Sequence, residues 1–345
     1  MATLFGKSFT KQELMKRIGD ISQVADAKQY ELKTGMGKGL HCIDLNAGDG
    51  FRFTVVPDRG MDIAWAEYKG LPFGFISKTG LVSTSHYDPQ DGFAQSFFGG
   101  LLTTCGMANI GPACVDQGQN LELHGRFNHI AADDVAVLRG WEQDEYRIKV
   151  RGVLRESAMF GENMVLTREI SCRLGETKIR IRDTVENCGF EPQPLMLLYH
   201  CNFGFPLLSE DTVLVGLNGE TRPRDAEAEI DAELCRSFHA PIHGYKEKVY
   251  LYEPACDANG EVCACLWNRG LNIGAYVKYN SQTLPCFTEW KQTGEGDYVV
   301  GLEPGTYYPL SRTHARENGK LLVLQPGDGK AFELEIGVTT AIDRC

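Results

Sequence analysis

The chain lacks long apolar runs and is short of positive charge. No uninterrupted apolar stretch reaches the roughly 18 residues of a transmembrane helix, so none is predicted to span a bilayer. Among its 345 residues, 35 Lys and Arg face 46 Asp and Glu, which gives a formal net charge of −11. This acidic balance argues against a nucleic-acid partner or an anionic membrane surface, because both require a basic patch.

Export and disulfide-scaffold signals are also missing. Met1–Lys7 has no basic segment followed by an apolar one, so we expect no secretory peptide and a cytoplasmic location. The 12 cysteines are too sparse at this length for a disulfide scaffold. No Gly-x-Ser-x-Gly elbow occurs, which disfavours an α/β-hydrolase.

Only one segment near the N-terminus has the pattern of a helix. In the stretch from Ser8 to Val24, Thr10 and Glu13 fit a capping box. Leu14 follows as the first of several apolar residues at helical spacing. We therefore predict a short N-terminal helix.

Alternation with a period of two dominates the rest of the chain. Two alternating runs, Met164 to Leu174 and Lys178 to Val185, are joined through Gly175-Glu176 and predict a hairpin. The charged, Ala-rich stretch from Arg222 to Phe238 is the exception, and we interpret it as a short helix or a surface excursion. Many short strands with few helices predict an all-β protein of stacked antiparallel sheets or a barrel. No linker divides the chain, so we predict a helical extension over residues 1–35 and a single β domain over residues 36–345.

The segment LHGRFNH holds the first group of reactive side chains. If it is extended, His124 and Arg126 face one side and His129 the other, and Gly125 allows a ligand to approach closely. The alternative is a loop histidine beside a surface arginine, which is the commoner situation in an isolated sequence.

A second group follows an apolar run that indicates a buried strand. The run ends in His200 and Asn202, which are two residues apart and therefore share a face. A binding site at the end of a rigid strand and a hydrogen-bonded core histidine both fit this pattern.

The third candidate is Glu303, which follows an apolar strand and precedes Pro304-Gly305. A carboxylate at a buried strand end needs a partner or a raised pKa, and a general base is made in this way. A surface glutamate that ends the strand is the alternative.

The histidines and cysteines do not have the spacing of a metal-binding motif. Cys263 and Cys265 share a strand face without a second ligand pair, so core packing is the better interpretation. His239 and His243 are separated by Pro241, which is incompatible with a regular helix. No metal site is predicted.

Taken in order, the three groups resemble the aldose 1-epimerase (galactose mutarotase-like) superfamily, and more specifically its DUF4432 branch. The resemblance covers roughly residues 40 to 340. It rests on LHGRFNH, on DTVENCG leading into LYHCNFG, on VGLEP, and on LQPGD with FELE near the C-terminus. The Asn-Arg motif of typical mutarotases is replaced here by the segment from Pro57 to Asp62.

The resemblance implies a galactose mutarotase-like β-supersandwich with a sugar in a cleft on a concave sheet. It assigns the catalytic roles to three side chains: His200 as general acid, Glu303 as general base, and His124 beside the ring oxygen or anomeric hydroxyl. The acid and base are expected on opposite sides of the sugar, about a pyranose width apart. The substrate-binding candidates are Arg126, Asn202, Arg59, Gln282, Glu289 and Trp290, with the two arginines available to an anionic group and the tryptophan to an apolar sugar face.

The implied function is an isomerase that interconverts the anomers of a sugar by ring opening. This chemistry needs no metal, nicotinamide or phosphate donor. The alternative is a carbohydrate-binding or regulatory module that kept the cleft and lost turnover. The implied partner is a small carbohydrate; the sequence identifies neither that sugar nor the oligomeric state, and a homodimer stays open.

Overall fold

Two antiparallel β-sheets make up most of the protein. The computed structural model describes residues 1–88 and 92–342. Its strands, in chain order, are β1 (Ala2–Leu4), β2 (Lys7–Phe9), β3 (Asp26–Glu31), β4 (His41–Asn46), β5 (Phe51–Val56), β6 (Asp62–Tyr68), β7 (Leu71–Pro72), β8 (Phe75–Ile76), β9 (Gly99–Gly100), β10 (Leu102–Met107), β11 (Cys114–Asp116), β12 (Gln119–Leu121), β13 (Asp133–Glu142), β14 (Glu145–Ser157), β15 (Asn163–Arg173), β16 (Lys178–Asn187), β17 (Gln193–Gly204), β18 (Thr212–Val215), β19 (Gly219–Pro223), β20 (Lys248–Pro254), β21 (Glu261–Asn268), β22 (Ile273–Asn280), β23 (Cys286–Gly294), β24 (Asp297–Gly305), β25 (Leu322–Leu324) and β26 (Gly329–Thr339).

The helices are short. They are α1 (Lys11–Met15), α2 (Gly92–Ser96), α3 (Ala226–Glu229) and α4 (Arg312–Glu317), with 3₁₀ turns at Ile21–Gln23, Thr84–His86, Phe127–His129 and Ala232–Leu234. Over the described ranges, no helix has the length and apolar character needed to cross a bilayer.

The larger sheet has twelve strands. Its order is β19-β20-β23-β24-β17-β10-β6-β5-β4-β3, with β25 beside β17 and β7 beside β6. The second sheet has eight strands in the order β13-β14-β15-β16-β26-β22-β21-β18. Neighbouring strands run antiparallel in both sheets. The all-β prediction of stacked sheets is therefore confirmed.

The predicted hairpin shows why alternation was a reliable guide. Strands β15 and β16 pair from Met164 opposite Asn187 to Ser171 opposite Arg180. In β15 every second residue is buried along the whole strand. Apolar side chains at that spacing all reach the same face, where they pack against the other sheet.

The N-terminal helix is present but shorter than predicted. Thr10 and Glu13 form the predicted capping box at the start of α1. The helix ends at Met15, since Gly19 is a poor helix former and the Asp20 side chain caps a separate 3₁₀ turn. Strand β3 then pairs with β4 in the large sheet, so the sheet begins before residue 36.

The stretch from Arg222 to Phe238 forms the predicted excursion. It contains the end of β19, the four-residue helix α3 and the 3₁₀ turn Ala232–Leu234. The Asp225 side chain accepts from the Ala228 N–H and caps α3.

The two faces of the large sheet have different roles. In β17, Tyr199, Cys201 and Phe203 belong to the main core between the sheets. Leu198 packs in a separate cluster on the opposite face, which we call the outer face, and His200 shares that face by alternation. The side chains of the site therefore project away from the main core.

A buried ionic network connects the two sheets. The Arg168 guanidinium donates to both carboxylate oxygens of Asp183, at 2.9 and 2.7 Å, and to Asp62 at 3.0 Å. Tyr199 donates to Asp183 at 2.8 Å, and Thr104 donates to Asp62 through its backbone N–H and its hydroxyl. Arg168, Asp62 and Asp183 have no solvent exposure. The conspicuous Asp183 and Asp62 motifs are therefore structural.

Candidate active site

Two central strands of the large sheet bring His200 and Glu303 together. The register that pairs Cys201 of β17 with Leu302 of β24 places the two side chains next to each other on the outer face. His200 Nε2 lies 3.0 Å from Glu303 Oε1, and both side chains are almost wholly buried. This close contact does not have the geometry of a hydrogen bond, and neither Glu303 Oε1 nor His200 Nδ1 has a hydrogen-bond partner in the described part of the chain. Buried polar atoms left in this state indicate a site that a ligand completes.

The expected separation of acid and base is wrong. The sequence-based expectation placed His200 and Glu303 about a pyranose width apart, but their nearest polar atoms are in contact. The reason is the sheet itself, because in-register residues on neighbouring strands have side chains only about 5 Å apart. The two side chains therefore form one contiguous pair.

A glycine makes room for this pair. Gly301 lies two residues before Glu303 on the same face of β24. A Cβ added there would lie 2.5 Å from Glu303 Oε1 and 3.1 Å from His200 Cε1. The glycine is thus a steric requirement of the pair, and sequence reasoning missed it.

His124 reaches the same place from a loop. Its backbone has a φ of 58° and exchanges hydrogen bonds with Gly111 and Gly106. The Gly111 N–H also donates to Nδ1 of the ring at 3.3 Å, which leaves Nε2 as the protonated nitrogen of the neutral tautomer. Burial, and to a smaller extent the neighbouring His200, lowers the pKa of His124 to about 3. His124 is therefore a neutral hydrogen-bond donor at ordinary pH.

These three side chains line one cavity of about 750 Å³. Its walls are largely apolar, formed by Phe75, Phe93, Phe97, Val249, Val299 and Leu310. The ring centres of His200 and His124 are 6.1 Å apart. The convergence of three residues distant in sequence is the main geometric feature of the site.

Strand β23 supplies a further set of cavity residues. Thr288, Trp290 and Gln292 alternate along the strand and line the cavity. Thr288 pairs in register with Glu303, and the buried atoms Thr288 Oγ1 and Gln292 Oε1 have no partner among the described residues. Thr288 and Gln292 were missed from the sequence, although their spacing from Trp290 was a signal that could have found them.

Trp290 is the one predicted binding residue that lines the cavity. Its ring centre is 5.2 Å from that of His200. The indole N–H donates to Glu247 at 2.7 Å, and Glu247 in turn pairs with Arg224 at 3.0 Å. The indole is therefore held with its N–H edge directed toward Glu247.

Glu289 lies on the opposite side of the sheet from Trp290. It is fully buried among the strands and accepts a hydrogen bond from Tyr252 at 2.7 Å. Adjacent residues of a strand face opposite ways, so predicting both Glu289 and Trp290 as sugar contacts conflicts with the alternation. Burial raises the pKa of Glu289 to about 7.

This raised pKa predicts a pH-dependent difference in stability between the wild type and Glu289→Gln. The folded state holds the proton up to about pH 7, whereas the unfolded chain loses it near pH 4.5, the ordinary pKa of a glutamate side chain. Wild-type stability should therefore fall relative to the variant as pH rises between these values, by on the order of 3 kcal/mol. Urea unfolding of both proteins at pH 5 and pH 8 measures the difference. A difference in unfolding free energy that stays constant between pH 5 and pH 8 would contradict this prediction. Other buried carboxyl groups, such as Glu156, titrate equally in both proteins, so their contributions cancel in the difference.

Arg59 connects loops behind the cavity. Its guanidinium is fully buried and donates to the backbone carbonyls of Asn128, Val82 and Ser96 at 2.7, 2.5 and 3.0 Å. Ser96 precedes Phe97, one of the cavity walls. Arg59 therefore lies outside the cavity lining, where three of its N–H groups hold backbone carbonyls.

The three other predicted contacts also lie outside the cavity lining. Arg126 is half-exposed and faces Glu156 and Glu162. Asn202 is buried and its amide donates to the carbonyls of Gly99 and His200. Gln282 lies in the turn after β22, beside Gly260.

Side chains able to bind a metal are not grouped in the described ranges. Across residues 1–88 and 92–342 there is no cluster of three or more His, Cys, Asp or Glu that could hold an ion. His243 contacts Glu295, and His239 contacts Thr293, so these two histidines have separate partners.

A protein-family model matches most of the chain. Its description is "Domain of unknown function (DUF4432)", and the match spans residues 37–338. No curated protein matches the chain.

Several solved structures share the fold. A candidate aldose 1-epimerase from Klebsiella pneumoniae subsp. pneumoniae MGH 78578 has a TM-score of 0.85 at 25% identity, covering 90% of this chain and 83% of its own. A galactose mutarotase-like protein from Clostridium acetobutylicum has a TM-score of 0.64 at 15% identity, covering 92% and 99%. A galactose 1-epimerase from Lactobacillus acidophilus NCFM has a TM-score of 0.59 at 12% identity, covering 91% and 99%. The predicted galactose mutarotase-like fold is confirmed.

Proposed function

This chain belongs to the DUF4432 family and has the galactose mutarotase-like fold, and we propose that it is an isomerase that interconverts the anomers of an aldose. The observation that carries the proposal is the buried contact of His200 with Glu303 at 3.0 Å in the cavity. Ring opening requires a base for the anomeric hydroxyl and an acid for the ring oxygen, and a positioned acid beside a positioned base supplies both. A cavity of about 750 Å³ is within the usual size of small-molecule sites.

The proposed reaction is a pair of proton transfers. Glu303, as carboxylate, takes the proton from the anomeric hydroxyl while protonated His200 donates a proton to the ring oxygen. The bond between C1 and the ring oxygen breaks, and C1 becomes an aldehyde. After rotation about the C1–C2 bond, the ring oxygen attacks the other face of C1 and both protons return.

The contact between His200 and Glu303 suits this chemistry. The anomeric oxygen and the ring oxygen are bonded to the same carbon, so their catalysts must be close neighbours. A sugar ring lying over the pair would present one oxygen to each side chain. The neutral His124 supports the proposal as a donor to either oxygen, since its Nε2 carries a proton that its backbone contacts leave free.

The test is the rate of exchange between anomers. Saturation-transfer NMR on a panel of free aldoses, with and without the protein, should show protein-dependent exchange above the spontaneous rate. Heat-denatured protein is the control for buffer catalysis. Binding of a sugar without faster exchange would reject the isomerase and favour the carbohydrate-binding module.

Gly301→Ala should reduce the exchange rate while the fold survives. The new Cβ would displace the Glu303 carboxylate, which is the far end of a flexible side chain. A displacement of about 1 Å can lower a rate by about 10²-fold. Gly140→Ala is the matched control, because a Cβ there meets nothing within 4 Å. Equal exchange rates in the two variants would argue against the proposed geometry.

A further inference from the structure

One buried arginine joins three separate segments beside the cavity. Arg59 has no solvent exposure, and burial lowers the pKa of its guanidinium to about 10, so the group stays protonated at neutral pH. Its N–H groups donate to the backbone carbonyls of Val82, Ser96 and Asn128. The planar fork of a guanidinium can reach three carbonyls at once, and hydrogen bonds from a charged donor are strong. Arg59 therefore links these segments to one another.

The segment that contains Ser96 carries two aromatic rings of the cavity. Ser96 is the last residue of α2 and precedes Phe97, whose ring centre lies 5.4 Å from that of His200. From within the helix, Phe93 stacks on His124 with ring centres 4.8 Å apart. The two phenylalanine rings also stack on each other, with centres 5.2 Å apart. The position of α2 therefore determines how both rings pack against the two histidines.

The segment that contains Asn128 is the 3₁₀ turn that follows His124. A second link joins this turn to α2, because His129 Nε2 lies 2.7 Å from the hydroxyl oxygen of Ser96. That hydroxyl donates its own proton to the carbonyl of Gly92, so the imidazole N–H is the donor to Ser96. The helix and the histidine loop are thus held together twice, by a guanidinium and by an imidazole.

We infer that Arg59 is a positioning residue for the reaction, because it holds α2 against the turn that follows His124. Through Phe93 and Phe97, the same link keeps the rings of His124 and His200 in their places beside the cavity. The inference rests on the proposed function and adds to it a residue outside the cavity lining. The alternative is a role in stability alone, in which the folded protein keeps these ring contacts when Arg59 is replaced.

Arg59→Lys separates the two roles by the rate of anomer exchange. Lysine keeps the buried charge but lacks the planar fork, so it cannot reach the three carbonyls in the same geometry. A displacement of about 1 Å can cost about 10²-fold in rate, so we expect kcat to fall by about 10- to 100-fold. KM should change far less, because Arg59 is not among the residues that line the cavity.

Arg180→Lys is the matched control. Arg180 lies on β16 in the other sheet, where it pairs with Glu176 and Glu335, and its replacement should leave exchange at the wild-type rate. Equal kcat in Arg59→Lys and the wild type would overturn the inference and leave the isomerase standing. Absence of exchange by the wild type would reject the proposed function, and the inference with it.

Proton NMR of the histidine rings gives a readout that stability alone would not move. The stacked ring of Phe93 shifts the Cε1 proton resonance of His124 by its ring current, and His124→Gln identifies that signal by its loss. In folded Arg59→Lys the resonance should move toward that of an exposed histidine such as His243. An unchanged resonance in a protein that is merely less stable would overturn the inference.

Ser96→Ala tests the same link with Arg59 left in place. It removes the hydroxyl that accepts from His129 and keeps the carbonyl that accepts from Arg59. We expect the His124 resonance to move in the same direction and kcat to fall by about 3- to 10-fold, because one of the two links remains. If Arg59→Lys does not fold, this variant decides the question, and a wild-type rate with a wild-type His124 resonance would overturn the inference.

Discussion

Glu303→Gln is expected to slow catalysed anomer exchange by about 10²–10⁴-fold, the usual contribution of a positioned base. The amide has the shape of the carboxylate but cannot take a proton from the anomeric hydroxyl. Its contact with His200 Nε2 at 3.0 Å can be kept by the amide oxygen. The loss should therefore appear in kcat, with sugar affinity changed far less.

His200→Asn should produce a loss of the same order, because it removes the acid from the same unit. Combining the two substitutions should cost little more than either alone, since each already stops the paired transfer. Glu289→Gln is the matched control: it makes the same carboxyl-to-amide change one strand away but on the inner face, and exchange should continue at the wild-type rate. Normal exchange in Glu303→Gln and His200→Asn would remove the proposed roles.

Arg168→Met is expected to lower the free energy of unfolding by about 3–5 kcal/mol. The substitution leaves the Asp62 and Asp183 carboxylates buried between the sheets without their common cation. Removing one partner of a buried ion pair is costly because the other charge remains desolvated. Urea unfolding monitored by tryptophan fluorescence measures the change.

Arg182→Met is the control for this prediction. Arg182 also faces a carboxylate, Glu333, at 3.7 Å, but its side chain is 63% exposed. Exposed pairs of this kind contribute about 0–1 kcal/mol. Similar losses in the two variants would mean that burial of the Arg168 network has no special energetic role.

Strand alternation in the sequence predicts much of the architecture. The predicted hairpin corresponds to β15 and β16, and the capping box at Thr10 begins α1. Both are local features, since hydrogen bonds and side-chain direction within a few residues determine them. The length of the N-terminal helix was less predictable, because Asp20 starts a competing turn.

The residues that line the cavity were harder to predict from the sequence. Arg59 belongs to a conspicuous polar motif, yet its guanidinium donates hydrogen bonds to three backbone carbonyls outside the cavity lining. Thr288, Gln292 and Gly301 carry no motif that marks them in the sequence, yet Thr288 and Gln292 line the cavity and Gly301 makes room for His200 and Glu303. Whether a polar side chain is free to bind a ligand depends on the hydrogen-bond partners that the rest of the fold gives it. The spacing of residues along one strand carries no information about those partners.

The pattern of residues along the chain was enough to predict the all-β class and the hairpin of β15 and β16, because a period of two reports directly which side chains share a face. Tertiary structure alone decided that His200 and Glu303 are in contact, that Glu289 lies on the opposite face of the sheet and that Phe97 packs against His200. Those facts depend on strand register and on a loop returning from far along the chain. Contacts of this kind are set by the packing of the whole molecule.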